Sequence, residues 1–449
     1  MNATVVGGGL AGSEAAWALA ERGVRVTLYE MRPTVRTPAH QTDRLAELVC
    51  SNSFKSVDLT NAHGLLKAEL RALGSILLPC ADAARVPGGT ALAVDRDVFS
   101  RAVDQKVTSH PNITLIREEV IELPSPGIVA TGPLTSERLT AAIVARLGSS
   151  ALAFYDAIAP VVSADSLDHS RLYALSRYGK GEGDDYLNAP MDADGYNRFI
   201  DALIEADQFH GHEFDEVPYF EGCLPVEEMA RRGRETLRFG PMKPVGLADP
   251  RTGREPHAVV QLRREDRAGQ MWNLVGFQTR LRIPEQQRVF HMIPGLESAE
   301  YLRFGSIHRN SYLNSPASLG PGLAARGDPL YFAGQITGVE GYTESLGTGL
   351  MAGINLARQL QGQPVVVPPP TTMLGGLYRY LREADPRHFQ PMNANFGLLD
   401  PLPGKSLPRA QRGVKKDRKK DLLVLRAQAD FERWMDEAGV RQQKQMSHG

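Results

Sequence analysis

Cysteine is scarce in this chain, with three residues among 449. Three thiols cannot form a dense disulfide framework, and none of them belongs to a Cys-x-x-Cys pair, which argues against a structural zinc site. The thiols are therefore expected to be reduced, as in cytosolic proteins.

Long apolar runs and a strong net charge are also lacking. No segment reaches the roughly 18 consecutive apolar residues of a membrane-spanning helix. The first residues, "MNATVVGGGLAG", contain neither a charged n-region nor a cleavage signal. With a formal net charge of -1, any nucleic-acid surface must be a local patch. These absences predict a cytoplasmic protein that does not associate with membranes.

What is present is an ordinary globular composition, 42% hydrophobic and 23% charged. The patterning predicts an α/β fold, namely a Rossmann-type dinucleotide-binding domain with an inserted mixed α/β domain. The predicted segments are residues 1–150 for the first part of the nucleotide-binding domain, 151–324 for the insertion, 325–365 for its late part, and 366–449 for a helical C-terminal segment.

A glycine-rich turn near the N-terminus indicates the nucleotide site. "VVGGGLAG" places Gly7, Gly9 and Gly12 in a G-x-G-x-x-G pattern between a predicted strand, residues 2–6, and a predicted helix. Glu30 ends the next predicted strand, where a carboxylate would accept hydrogen bonds from a ribose. The residues predicted to contact the dinucleotide here are Gly7, Gly8, Gly9, Leu10, Ala11, Gly12 and Glu30.

Two later stretches favour FAD over NAD. "IVATGP" resembles a strand-end turn of flavoproteins with two dinucleotide-binding domains, and "YFAGQITGVEGY" resembles their late FAD motif. That motif often carries an aspartate where this chain has Gly334 and Gln335. The predicted contacts are Val120, Thr131, Gly132, Gly334, Gln335, Gly341, Tyr342 and Gly347, although Val120 is equally well explained as a core valine.

Two of the three cysteines have sequence surroundings that suit a reactive thiol. Cys223, in "EGCLPVEEMA", precedes a helix predicted to begin at Pro225, and a helix N-terminus can lower a thiol pKa. Cys50, in "VCSNSFKS", is followed by polar residues and Lys55. Both cysteines could instead be small buried hydrophobes, as is expected of Cys80 after its apolar run.

These stretches together resemble the folate- and FAD-dependent tRNA (uracil-5-)-methyltransferases of bacteria, which are GidA-like flavoproteins. The resemblance is carried by "VVGGGLAGSEAAWALAERG", "ELVCSNSFKS", "YFEGCLPVEEMA", "RFGPMKPVGL", "IHRNSYL" and "GQITGVEGYTESLGTGLMAGINLA". It extends to about residue 400, and the two cysteine stretches are its most specific part.

The resemblance implies methylation of C5 of uridine 54 in the tRNA T-loop. The carbon would come from 5,10-methylenetetrahydrofolate by way of reduced FAD, with NAD(P)H as reductant. Cys223 would be the nucleophile that adds to C6 of uracil, and Cys50 its partner or the base, with the reverse assignment left open. The alternatives are the same chemistry on ribosomal RNA, or an RNA-binding flavoprotein without methyl transfer.

The remaining candidates concern the substrates. The resemblance suggests His308, Arg309 and Asn310 for folate or substrate. No metal site is predicted, because His210 and His212 have no third ligand nearby. Phosphate contacts are predicted for the basic cluster Lys405, Arg409, Arg412, Lys415, Lys416, Arg418, Lys419 and Lys420, with Arg231, Arg232, Arg234 and Arg238 of the insertion adding positive charge. A charged, solvated helix face is the alternative explanation of the cluster.

Overall fold

The computed structural model describes residues 1–37, 39–148, 152–209, 224–402 and 412–441, with the backbone alone for 152–158, 307–309 and 412–417. The described strands are β1 Asn2–Val6, β2 Arg25–Tyr29, β3 Ser53–Ser56, β4 Arg85–Val86, β5 Ala91–Val94, β6 Ile113–Ile116, β7 Gly127–Val129, β8 Leu152–Ile158, β9 Val161–Ser163, β10 Tyr173–Ala174, β11 Tyr186–Met191, β12 Ala258–Arg264, β13 Met271–Leu274, β14 Tyr301–Arg303, β15 Ser306–Tyr312 and β16 Leu330–Phe332. The described helices are α1 Leu10–Ala20, α2 Ala62–Ala72, α3 Leu77–Ala83, α4 Arg96–Thr108, α5 Glu137–Leu147, α6 Ala193–Glu205, α7 Val226–Arg232, α8 Thr236–Phe239, α9 Ile283–Phe290, α10 Ser315–Ser318, α11 Tyr342–Leu360, α12 Met373–Glu383 and α13 Arg412–Ala438.

A parallel sheet with strand order β16-β7-β1-β2-β6 forms the centre of the nucleotide-binding domain. The predicted strand–helix–strand unit at the N-terminus is confirmed as β1, α1 and β2. The sheet places the carboxyl ends of β1, β2, β7 and β16 at one edge, which is where such folds bind nucleotides.

Helix α11 packs directly on α1 because small residues line the contact. A side chain carbon at Gly349 would lie 2.2 Å from the Ala11 carbonyl oxygen, and one at Gly353 would lie 2.6 Å from the Ala15 carbonyl oxygen. The late part of the chain is therefore packed against the first helix of the nucleotide-binding domain.

The inserted part has its own sheet and its own core. Its strand order is β10-β11-β12-β13-β9-β14, and the pairs are antiparallel. Buried residues between Val162 and Ala299 form one apolar cluster, whereas those of 3–143 and 312–440 form another. The four-segment division stays a prediction. Four buried residues that were assigned to the insertion pack with the first cluster, namely Tyr312, Leu313, Leu319 and Leu323.

The last described helix of the C-terminal segment, α13, is amphipathic. Its apolar side, including Leu423, Ala427, Phe431 and Met435, is buried in the first cluster. Among the described residues, no helix combines the length and the apolar character needed to cross a membrane.

Candidate active site

A cleft of about 1040 Å³, counting its open mouth, runs along the carboxyl edge of the parallel sheet. Gly7, Gly9, Leu10 and Ala11 line it where β1 turns into α1. The backbone of Gly7 has a φ of +104°, in the region that favours glycine. Gly12 does not line the cleft, but a side chain carbon there would lie 1.8 Å from the Gly7 carbonyl oxygen, so this position is needed to close the turn.

Glu30 lies at the end of β2, facing this turn. Its Oε2 accepts a hydrogen bond from the Gly8 amide at 2.9 Å, and its Oε1 accepts from the Arg32 amide at 3.0 Å and from Arg32 Nε at 2.8 Å. Burial alone would raise the pKa of Glu30, but the hydrogen bonds and charge of Arg32 lower it. The group is thus held as a carboxylate.

The residues of the cleft fit the adenosine half of a dinucleotide. A carboxylate has about four lone-pair positions, and the three hydrogen bonds to Glu30 leave one for a ribose hydroxyl. A side chain carbon at Gly9 would meet no protein atom within 4 Å, so the open space beside the α1 N-terminus is available to a pyrophosphate.

Most of the FAD contacts predicted from the two later stretches line the cleft, but one of them does not. Val120, Thr131, Gly132, Gln335 and Tyr342 line the cleft, as does Gly334. Gly347, in contrast, lies within α11, where an added side chain carbon would lie 2.9 Å from Leu374 Cδ1. In the structure this glycine is a helix-packing position outside the lining of the cleft.

A second cavity of about 460 Å³ adjoins the cleft and contains the early thiol. It is lined by Ala39, Val49, Cys50, Pro133, Leu134, Asn310, Gln335, Glu340, Gly341 and Tyr342, several of which also line the cleft. The structure therefore brings Cys50 and Asn310 to the late motif, which starts at Tyr331, 281 positions after Cys50 in the sequence. Cys80 is buried in α3, and burial raises the pKa of its thiol.

The Cys50 loop is held by side chains that the sequence did not indicate in this role. The Tyr342 hydroxyl accepts hydrogen bonds from the amides of Cys50 at 2.9 Å and Ser51 at 3.0 Å, and it donates to the Ser51 carbonyl at 2.9 Å. Arg96 Nη1 donates to the Leu48 carbonyl at 2.6 Å. No local motif indicates these contacts, because each joins segments far apart in the chain.

Several candidates lie outside the described residues. These are Cys223, His210, His212, Lys405 and Arg409, whereas only the backbone is described for His308, Arg309, Arg412, Lys415 and Lys416. The helix after Cys223 begins at Val226, with Pro225 at the N-cap, one residue later than predicted.

The basic residues that the structure describes differ in their pairing. Arg418 and Lys419 are exposed on α13, and Lys420 is half-buried. In the insertion, Arg231 pairs with Glu228 at 3.0 Å, Arg234 pairs with Asp201, and Arg238 pairs with Glu235. These three arginines have their charge compensated within the insertion, so the exposed part of α13 is the better phosphate-binding candidate.

Comparisons with known proteins agree with this architecture. The family described as "Glucose inhibited division protein A" matches residues 2–364. Two crystal forms of Aquifex aeolicus GidA have TM-scores of 0.69 and 0.67 at 17% and 16% identity, covering 99% of this chain and 77% and 74% of that chain. At that identity the likeness shows the fold alone.

Curated relatives identify the branch of this family to which the chain is most similar in sequence. A protein of Geobacter sulfurreducens named "Methylenetetrahydrofolate--tRNA-(uracil-5-)-methyltransferase TrmFO" is 57% identical over 435 residues, covering 96% of this chain and 98% of the relative. A protein of the same name from Heliobacterium modesticaldum is 56% identical over 405 residues, covering 90% and 92%. The chain therefore belongs to the glucose inhibited division protein A family and, within it, to the methylenetetrahydrofolate--tRNA-(uracil-5-)-methyltransferases TrmFO.

Proposed function

We propose that this protein methylates C5 of a uridine in tRNA, uridine 54 of the T-loop, with 5,10-methylenetetrahydrofolate as carbon donor and FAD as cofactor. When bound, FAD would supply the one-carbon relay and the hydride, and NAD(P)H would supply the electrons. The cytoplasm is the compartment we propose, because that is where its tRNA substrate is modified.

One observation carries the proposal: the Cys50 thiol lines a cavity that shares Val49, Gln335 and Tyr342 with the dinucleotide cleft. A thiol placed beside a flavin site suits the activation of uracil, whose C5 is a weak nucleophile. The names of relatives that are 57% and 56% identical support the same reaction.

The chemistry required of the protein is the addition and removal of a thiolate. Addition of a thiolate to C6 of uracil makes an enolate whose C5 can attack an electrophilic carbon. A base must then remove the C5 proton, after which the thiolate leaves C6 and the double bond is restored. We propose Cys223 as nucleophile and Cys50 as partner or base.

The uridine must leave its stack to reach the cavity, because a paired and stacked base does not expose C5 and C6 to a protein pocket. Phosphate contacts would offset part of that cost. Exposed Arg418 and Lys419 of α13 are the described residues that we assign to them.

A labelling assay tests the function. The protein is incubated with a tRNA transcript, carbon-labelled methylenetetrahydrofolate and NADPH, and the label in RNA is counted. We expect wild-type protein and Cys80→Ala to label the RNA, and Cys50→Ala and Cys223→Ala to retain FAD without labelling it.

Two further arms separate the alternatives. Absence of label with a wild-type protein that holds reducible FAD would eliminate the transferase function. Replacement of uridine 54 should abolish labelling, and label that persists would place the target elsewhere. A covalent adduct with 5-fluorouridine RNA that survives Cys223→Ala would assign the nucleophile to another residue.

A further inference from the structure

The Cys50 cavity contains a carboxyl group that the proposed chemistry does not use. Among the described residues that line this cavity, Glu340 is the one acidic residue, and it is buried. Its Oε2 accepts a hydrogen bond at 2.7 Å from Nε2 of Gln335, which lines the same cavity. A side-chain amide donor and a carboxyl acceptor therefore lie next to each other beside the Cys50 cavity.

The backbone around Glu340 is fixed by two glycines and by pairing with a distant segment. Gly338 and Gly341 have φ values of +86° and +116°, in the region that favours glycine. Between them, the Glu340 amide donates to the Met392 carbonyl at 2.8 Å, and the Met392 amide donates to the Gly338 carbonyl at 3.0 Å. The main chain thus fixes the position from which the Glu340 side chain extends.

An amide donor beside a carboxyl acceptor matches one edge of uracil. N3 of uracil carries a hydrogen and lies next to the C4 carbonyl, so the ring donates at one atom and accepts at the next. A carboxyl group has about four lone-pair positions and an amide nitrogen has two hydrogens, so their mutual hydrogen bond does not saturate the pair. Cytosine presents the reverse pattern, because its N3 accepts and its 4-amino group donates.

This edge of uracil is distinct from the edge at which a thiolate adds. The C5–C6 bond lies opposite the C2–N3 bond in the ring, so a base that presents C6 to a thiol presents N3 elsewhere. Flipped bases are read in this way, by hydrogen bonds to their Watson–Crick edge.

We propose that Glu340, with Gln335, accepts N3–H and donates to the C4 carbonyl of the target uracil, and so distinguishes uridine from cytidine. That the target base is uracil rests on the proposed function. The preference itself does not require methyl transfer, and RNA binding alone measures it.

The isoalloxazine of FAD and the pterin of folate also carry an N–H beside a carbonyl. Glu340 lines the Cys50 cavity and does not line the dinucleotide cleft. We therefore assign the pair to the base on which the thiol acts.

The test is filter binding of the FAD-loaded full chain to two tRNA transcripts that carry uridine or cytidine at position 54. We expect wild type to prefer uridine about ten- to a hundredfold. Glu340→Gln should lose most of this preference, because its amide can turn either to accept from uracil or to donate to cytosine. Glu340→Asp keeps the acceptor and should still prefer uridine. Effects of the base on the RNA itself cancel when protein variants are compared.

Glu205→Gln is the matched control, because it makes the same change at an exposed residue of α6, and it should keep the wild-type preference. Equal binding of both transcripts by wild type would overturn the inference, and so would an unchanged preference in Glu340→Gln. In the second case, a loss of FAD or of tetrahydrofolate affinity in Glu340→Gln would assign the pair to the flavin or to the pterin. If Glu340→Gln loses the preference but wild type does not label tRNA, the inference stands and the proposed function fails.

Discussion

Glu30 shows how one residue combines a structural and a binding role. Its carboxylate joins the glycine turn to Arg32 through three hydrogen bonds and is held ionised by that arginine. Glu30 also lines the cleft, so an added ribose would bind to a group that is already oriented.

We expect Glu30→Gln to weaken FAD binding about ten- to a hundredfold, the range for loss of a hydrogen bond to a charged group. Fluorescence titration of the FAD-free protein with FAD measures the change. Glu437→Gln, an exposed residue of α13 with the same change of charge, should bind FAD as wild type does. Equal affinities for Glu30→Gln and wild type would remove Glu30 from the site.

Tyr342 is a second residue whose role depends on its hydroxyl. Tyr342→Phe leaves the amides of Cys50 and Ser51 without their acceptor, so we expect the free energy of unfolding to fall by about 1–3 kcal/mol. Urea denaturation measures it. The control is Tyr378→Phe, since the Tyr378 hydroxyl is buried without a partner and its loss should cost little. Equal effects of the two variants would refute the role of the Tyr342 hydroxyl in holding the loop.

Among the helices, α13 has one apolar side that packs against the protein and an exposed side that carries charged residues. Its apolar side is buried against the nucleotide-binding domain, and the exposed cations Arg418 and Lys419 lie on the same helix. Cations on a packed helix bind phosphates with less loss of conformational entropy than cations on an unstructured tail.

Removing both exposed cations should reduce tRNA binding and its dependence on salt. For Arg418→Gln/Lys419→Gln we expect the slope of log affinity against log salt to decrease in magnitude by about 2. Filter binding at several salt concentrations measures the slope. The control Arg433→Gln/Arg441→Gln removes two arginines that already pair with Asp430 and Asp436, and it should change the slope less. Equal slopes for the two double variants would place the phosphate contacts elsewhere.

On the scale of the whole molecule, a single buried carboxylate joins the first part of the chain to the C-terminal segment. Glu69 of α2 accepts hydrogen bonds from the amides of Met373 and Leu374 at the start of α12, both at 2.8 Å. Burial raises the pKa of Glu69 from its ordinary 4.5 to about 8, although these two amides lower it.

This shift predicts a loss of stability as the pH rises. Between the unfolded pKa of 4.5 and the folded pKa of about 8, the folded protein keeps a proton that the unfolded chain releases, so the free energy of unfolding falls with pH. From about pH 5 to pH 7, Glu69→Gln should reduce that fall by about 2 kcal/mol. Urea denaturation across this pH range measures it, with Glu437→Gln expected to behave as wild type. An unchanged pH dependence in Glu69→Gln would contradict the raised pKa.

Much of the fold and part of the site could be predicted from the sequence, because the relevant signals are local. The glycine turn, Glu30 and the alternating strands lie within about thirty residues of one another, and the structure shows the predicted β1, α1 and β2. Cys50 stood out because of its polar neighbours, and it does line a cavity at the predicted dinucleotide site.

The other contacts of the candidate site were decided by the tertiary structure. Backbone hydrogen bonds and apolar periodicity act between near neighbours, so the sequence itself determined the secondary structure and the nucleotide-binding turn. The contacts of the Cys50 loop with Tyr342, Arg96 and Arg303 form only when the parallel sheet and the insertion pack together. They join residues that are between 47 and 292 positions apart in the sequence. The position of Cys50 beside the cleft depends on those contacts, and no local pattern encodes it.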